Sequence, residues 1–143
     1  MVDASEALAR APIFSGLKST TLKSLGRASK IRRFAPGELL VKEGDEAVAF
    51  FVLCCGQAEV VKGLGQDKQL VLGNLKEGDF FGEMALLDGF PRSASVRAVG
   101  ECECLVLGRW DLVALIRTHP EVALAIFPVL SRRLRECEDL LLP

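Results

Sequence analysis

Phe50-Phe51-Val52-Leu53-Cys54-Cys55-Gly56 is a run of large apolar and thiol side chains closed by a glycine. Four consecutive bulky apolar residues leave no face for water, so the run predicts a strand buried on both sides or set in a barrel wall. Working outward, the same grammar repeats. Downstream, Ala58 to Val61 and Gln69 to Leu72 flank a polar, glycine-bearing loop from Gly63 to Lys68, which predicts a hairpin. Gly78-Asp79 makes a further turn, and Ser95 to Val99 and Cys102 to Leu107 complete the strand set. Upstream, Ile31 to Phe34 is stopped by Pro36-Gly37, and Leu39 to Val41 by Gly44-Asp45. Turn signals spaced about 8–12 residues apart point to an all-β barrel or jelly roll.

Helical periods lie on either side. Ala4 to Arg10 is a short amphipathic stretch that stops before Pro12, and Ser15-Gly16 turns the chain between Phe14 and Leu17. In Thr20 to Ala28, Leu22 and Leu25 share one face. After the strands, Trp110 to Arg117 carries Leu112, Leu115 and Ile116 on one side. Pro120 then opens a final helix holding Val122, Ile126, Val129, Leu130, Leu134 and Leu140 to Leu142. Pro128 inside that stretch predicts a kink or break. The expected organisation is one unit over 1–143: helices in 1–30, a β-barrel in 31–108 and helices in 109–143.

The bulk numbers agree with a folded module. In 143 residues, 50% are hydrophobic and 26% charged, enough apolar material for a core and too much for disorder. Eighteen basic residues against nineteen acidic give a net charge of −1, which lacks the basic excess of a nucleic-acid surface. The start is short and acidic with no signal-peptide core, and no charge-free run approaches ~18 apolar residues. The expectation is a cytoplasmic chain that by itself binds neither nucleic acid nor membrane. Five cysteines include no C-x-x-C spacing. Cys54 and Cys55 are expected on opposite faces of a strand and Cys102 and Cys104 on a shared one, all as small hydrophobes of a reducing compartment. His119, the one histidine, reads as a helix-entry residue. A metal-dependent barrel enzyme needs several histidine ligands, and no nucleophile-elbow or zinc-protease signature is present. The chain is therefore read as non-enzymatic, without cofactor or metal.

One segment breaks the strand pattern: Phe80-Phe81-Gly82-Glu83-Met84-Ala85-Leu86-Leu87-Asp88-Gly89-Phe90-Pro91-Arg92-Ser93-Ala94. Gly82 permits a close backbone approach. Glu83 to Leu87 can form a turn or two of helix, whose first N–H groups suit a phosphate. Arg92 returns a guanidinium to the same place, and its fork can donate two hydrogen bonds to a phosphate. An acid and a base nine residues apart around a small-residue loop suit a sugar-phosphate. Asp79 and Asp88 read as turn residues; Arg32-Arg33 and Arg132-Arg133 read as solvated faces.

This segment resembles the phosphate-binding cassette of the cyclic-nucleotide-binding domain family. Phe81-Gly82-Glu83-Met84-Ala85-Leu86 and Arg92-Ser93-Ala94 match its pattern. Upstream, Leu40-Val41-Lys42-Glu43-Gly44-Asp45 and Phe50 to Gly56 match a second one. The resemblance covers nearly the whole chain. It implies a mainly β, α+β fold: a double-stranded β-helix, or jelly-roll barrel, with N-terminal helices, a cassette over 80–94 and C-terminal lid helices. It implies that Arg92 pairs with the cyclic phosphate and that Glu83 accepts from the ribose 2′-hydroxyl. Gly82, Ser93 and Ala94 would give N–H groups, with Phe81, Met84 and Ala85 beside them. The base would meet the lid near Arg133, Cys137 and Glu138, where the sequence departs from any obvious purine-reading pattern. The ligand implied is cAMP, with cGMP open, because Ser93 offers the same oxygen as a threonine. The output is a partner protein or domain, or a second copy met through the lid leucines. Two other readings stand beside this one: an interaction domain that kept the fold without the ligand, and the sensor part of a transcription regulator, since the sequence stops at Pro143 without a helix-turn-helix.

Overall fold

The computed structural model describes residues 3–82 and 91–141, with the side chains at 133, 137, 140 and 141 outside that description. The chain opens with helix α1 (Ala4–Arg10), started by the Asp3 carboxylate, which accepts from the N–H groups of Ser5 and Glu6. Helix α2 (Ser19–Ala28) follows and buries Thr21, Leu22 and Leu25. Eight strands come next: β1 (Lys30–Phe34), β2 (Leu39–Val41), β3 (Ala49–Cys55), β4 (Ala58–Lys62), β5 (Leu70–Leu75), β6 (Phe80–Phe81), β7 (Ser95–Ala98) and β8 (Cys102–Gly108). Helices α3 (Arg109–Thr118) and α4 (Glu121–Leu141) close the chain.

The strands form two four-stranded sheets, ordered β1-β8-β3-β6 and β2-β7-β4-β5. Every pairing is antiparallel, and the whole is the mainly β jelly roll with flanking helices that the turn pattern predicts. Two separate cores follow from the two-residue period of a strand. On β3, Phe50 and Val52 face a helix-side core that also holds Leu8, Phe14, Leu25, Leu105, Leu112 and Val122. Phe51 and Leu53 face an inner core with Phe34, Leu40, Val96, Cys102 and Cys104. The strand read as buried on both sides is therefore the wall shared by two apolar compartments.

Cys102 and Cys104 do share a buried face, and Cys54 and Cys55 are half-buried and exposed. Burial pushes the Cys104 thiol up to about 12 and raises Cys54 and Cys102 as well. Among the described residues no group of acidic, histidine and cysteine side chains is arranged to hold a metal. Nor is any helix among them long and apolar enough to cross a membrane.

Two expectations are corrected. Phe80–Phe81, read only as the entry to the cassette, is a strand that pairs with Phe51 and Val52; two residues are too few to show a period. Of the kink or break expected at Pro128 the break is absent, since α4 runs unbroken from Glu121 to Leu141. Proline removes one N–H there, and Pro128 and Leu124, whose carbonyl would receive it, are both exposed residues, a setting in which water can replace that bond. His119 caps the end of α3, donating its N–H to Leu115 O, and its carbonyl accepts from Val122 at the start of α4. Asp79 does close a turn, its carboxylate accepting from the Lys76 N–H at 2.9 Å.

Candidate functional site

Strand β6 delivers Gly82 to the inner core's edge. Phe81 stacks on Phe51 with centroids 4.8 Å apart and planes within 7°, so the pair fixes where β6 ends. Gly82 then turns with φ +86°, a region costly for any residue with a side chain. A Cβ on it would stand 2.5 Å from Arg92 Nη1 and 2.9 Å from Ala49 O. The close approach inferred for Gly82 is thus, in this structure, an approach to Arg92 itself.

Arg92 lies over the inner wall. Its Nη2 donates to Ala49 O at 2.6 Å, and its Cζ lies 5.8 Å from the Phe51 ring centroid. A guanidinium on an aromatic face, with a backbone carbonyl on one edge, is held in orientation before any anion arrives. Its backbone is held too. Gly44 N–H donates to Arg92 O at 2.9 Å and Arg92 N–H donates to Asp45 O at 2.8 Å. Gly44, with φ +89°, makes the turn that allows both bonds.

The residues after Arg92 are tied from two more directions. Lys62 Nζ, at the end of β4, donates to Ser93 O at 2.6 Å. Buried Ser95 accepts from Glu43 N–H at 3.0 Å through its hydroxyl. The Glu43 carboxylate in turn accepts from Gly63 N–H at 2.9 Å and pairs with Lys62 at 3.6 Å. Ser93 is exposed and Ala94 half-buried. The structure therefore gathers Phe81, Gly82, Arg92, Ser93 and Ala94 at one rim of the jelly roll.

Glu83, Met84 and Ala85 lie outside the described residues, as does Asp88. Of the lid candidates, Glu138 is exposed on α4, while the side chains of Arg133 and Cys137 lie outside the description. Sequence reading missed Ala49, Phe51, Lys62 and Ser95 as members of this rim. Ala49 contributes only a carbonyl, which no residue type announces. Lys62 looks like any solvated lysine at a hairpin. Glu43 to Asp45 did carry a signal, as did Phe51, because their runs match the second family pattern.

The site is thus a jelly-roll rim where an oriented arginine stands beside a glycine that admits no side chain, an arrangement whose chemistry suits an anion. The comparisons place it more narrowly. The model of the cyclic nucleotide-binding domain matches residues 31–119, and this chain belongs to that family. It is 39% identical over 103 residues to a cAMP-dependent protein kinase regulatory subunit of Pyricularia oryzae, covering 71% of this chain and 25% of that one. It is 36% identical over 129 residues to the cyclic AMP receptor protein of Thermus thermophilus, covering 89% and 59%. Among solved structures, the N-terminal domain of a transcriptional regulator from Streptomyces coelicolor superposes with a TM-score of 0.81 at 29% identity, covering 96% of both chains. The chain thus spans a quarter of the kinase subunit's length and little over half of the receptor's. Those relatives are regulatory and receptor proteins.

Proposed function

We propose that this chain is the ligand-capturing module of a regulatory protein and that its ligand is a cyclic mononucleotide, cAMP in preference to cGMP. The observation that carries this reading is the Arg92 guanidinium held against Ala49 O and Phe51 at the place where Gly82 excludes a side chain. In this reading Arg92 takes the cyclic phosphate, and the N–H groups of Gly82, Ser93 and Ala94 complete its shell. Phe81 supports the rim, with Met84 and Ala85 beside it, and Glu83 accepts from the ribose 2′-hydroxyl. The base meets α4 near Arg133, Cys137 and Glu138. The module performs no catalysis of its own. Ligand contacts made only when α4 covers the pocket would bias its position, and only such differential contacts can transmit a signal. That position is read by an effector domain or by a second copy, in the cytoplasm. Ser93 supports the cAMP preference. Its hydroxyl lacks the methyl that would fix its rotamer for a guanine amino group.

Calorimetric titration with cAMP and cGMP in one buffer tests the reading. Both should bind, cAMP tighter by less than about a hundredfold. Arg92→Ala should weaken cAMP at least about thirtyfold while the melting curve stays that of a folded chain. Unchanged affinity in Arg92→Ala would put the phosphate elsewhere. A chain that binds neither nucleotide would return the scaffold reading.

A further inference from the structure

A trans peptide points its C=O and its N–H in opposite directions. Whatever holds a carbonyl therefore also aims the N–H across the same peptide. Two consecutive carbonyls of the return strand are held in this way. Arg92 O accepts from Gly44 N–H at 2.9 Å, which turns the Ser93 N–H away from that loop. Ser93 O accepts from Lys62 Nζ at 2.6 Å, which turns the Ala94 N–H away from the β4–β5 hairpin. The first clamp is backbone and comes with the fold. The second is a side chain, and the sequence had the freedom to place it or not.

Lys62 does not reach Ser93 by chance of a loose side chain. Glu43 sits beside it at 3.6 Å and is itself fixed by Gly63 N–H at 2.9 Å. Glu43 is joined to the return strand a second time through its own N–H, which donates to the Ser95 hydroxyl at 3.0 Å. Ser95 is one of two buried polar residues among those described, so that bond is made away from competing water. The ammonium is thus oriented by a carboxylate that two further bonds hold in place. With a flexible four-carbon stem, an unoriented lysine would lose more freedom on making the same bond.

We propose that Lys62, oriented by Glu43, is a positioning residue for ligand binding: by holding the Ser93 carbonyl it aims the Ala94 N–H at the ligand's phosphate. Lys62 does not touch the ligand. The inference rests on the cyclic-nucleotide reading above, and it assigns a part of the affinity to the β4–β5 hairpin, outside the cassette. An aimed N–H addresses one exocyclic phosphate oxygen and not the other. The clamp is therefore expected to appear in stereochemical preference as well as in affinity.

The experiment uses the full chain and three probes: cAMP and its two phosphorothioate diastereomers, in which sulfur replaces one or the other exocyclic oxygen. Lys62→Met keeps the stem and removes the donor. It should weaken cAMP about fivefold, a loss of the size of one half-exposed charge-assisted hydrogen bond. It should also bring the affinity ratio of the two diastereomers toward one, with the melting temperature unchanged. Lys62→Arg, which can still reach the carbonyl, should stay within about twofold of the parent chain. Glu43→Gln should fall between the two. If Lys62→Met binds all three probes as the parent does while Arg92→Ala loses cAMP, the clamp is wrong and the cyclic-nucleotide reading stands. A weaker cAMP affinity with an unchanged diastereomer ratio makes Lys62 merely structural and also overturns the proposal. If the parent chain binds none of the probes, the reading beneath it fails and takes the clamp with it.

Discussion

Strand β3 and helix α4 both carry large apolar residues, yet they are held in different ways. In β3, five consecutive residues from Ala49 to Leu53 are buried, alternate ones in the helix-side and the inner core. In α4, Val122 and Ile126 are buried, but Leu124, Phe127 and Leu134 are 67%, 57% and 63% exposed. The start of α4 is tied down as well. The Thr21 hydroxyl donates to the Glu121 carboxylate at 2.7 Å, which holds that carboxyl below its usual range. Beyond Leu130 nothing comparable is seen among the described residues. A strand packed on both faces cannot shift without opening two cores. A helix anchored through its first turns can change its distal position by breaking few contacts. The contrast separates a platform held in two cores, against which Arg92 is seated, from a helix whose described residues are tied mainly at its start.

The most severe way to break the contrast is to delete apolar atoms from each part. Leu53→Ala should cost about 2–5 kcal/mol of stability, as fully buried leucines do. Leu134→Ala should change it by less than about 0.5 kcal/mol. Equal losses in chemical denaturation would mean that α4 is packed as firmly as β3.

A subtler probe touches the platform where it meets the site. Gly82→Ala forces a side chain into a left-handed turn and into the Arg92 guanidinium. It should cost about 1–2 kcal/mol of stability and about tenfold in cAMP affinity. Calorimetry that found affinity unchanged would show that Arg92 does not need its present seat. Amide exchange then sharpens the comparison. On adding cAMP, exchange should slow within 121–141 and stay as it was in Ala49–Cys55. No change in α4 would remove the helix from the signalling path.

The smallest effect lies within the platform's own thiols. Exposed Cys55 should react first with a thiol reagent at pH 8. Cys104, whose pKa burial has raised to about 12, holds almost no thiolate there and should react only as the chain opens. Similar rates for the two, read by mass spectrometry, would contradict the burial of Cys104.

Most of the fold was legible because turn chemistry punctuates it. Pro36-Gly37, Gly44-Asp45, Gly56 and Gly78-Asp79 each end an element where the structure ends one. The continuous run at Phe50 already implied a wall with two dry faces. What was not legible had no local signature. Phe80–Phe81 pairs through two residues. Pro128 stands on an exposed stretch of its helix, where water can take the place of the N–H it lacks, a matter of exposure rather than sequence. At the site, Gly82 and Arg92 stood out by residue type. The groups that hold this rim, Ala49 O and the Phe51 ring against Arg92 and the Lys62 ammonium against Ser93 O, come from 31 to 43 residues away in sequence and act through packing or carbonyls.

Strand β5 has a neighbour only on its β4 side among the described residues, and it presents Leu70, Val71 and Leu72 at 59%, 46% and 55% exposure. A bare edge with three adjacent aliphatic residues is the kind of template on which chains add strand to strand and come out of solution. Charged pairs bracket it, Asp67-Lys68 before and Lys76-Glu77 after, and a parallel, in-register neighbour would set like charge against like charge there. Shelf life and solubility of this module are therefore expected to depend on this edge strand as well as on the two cores. They should be sensitive to ionic strength, because added salt screens the charges that flank that edge.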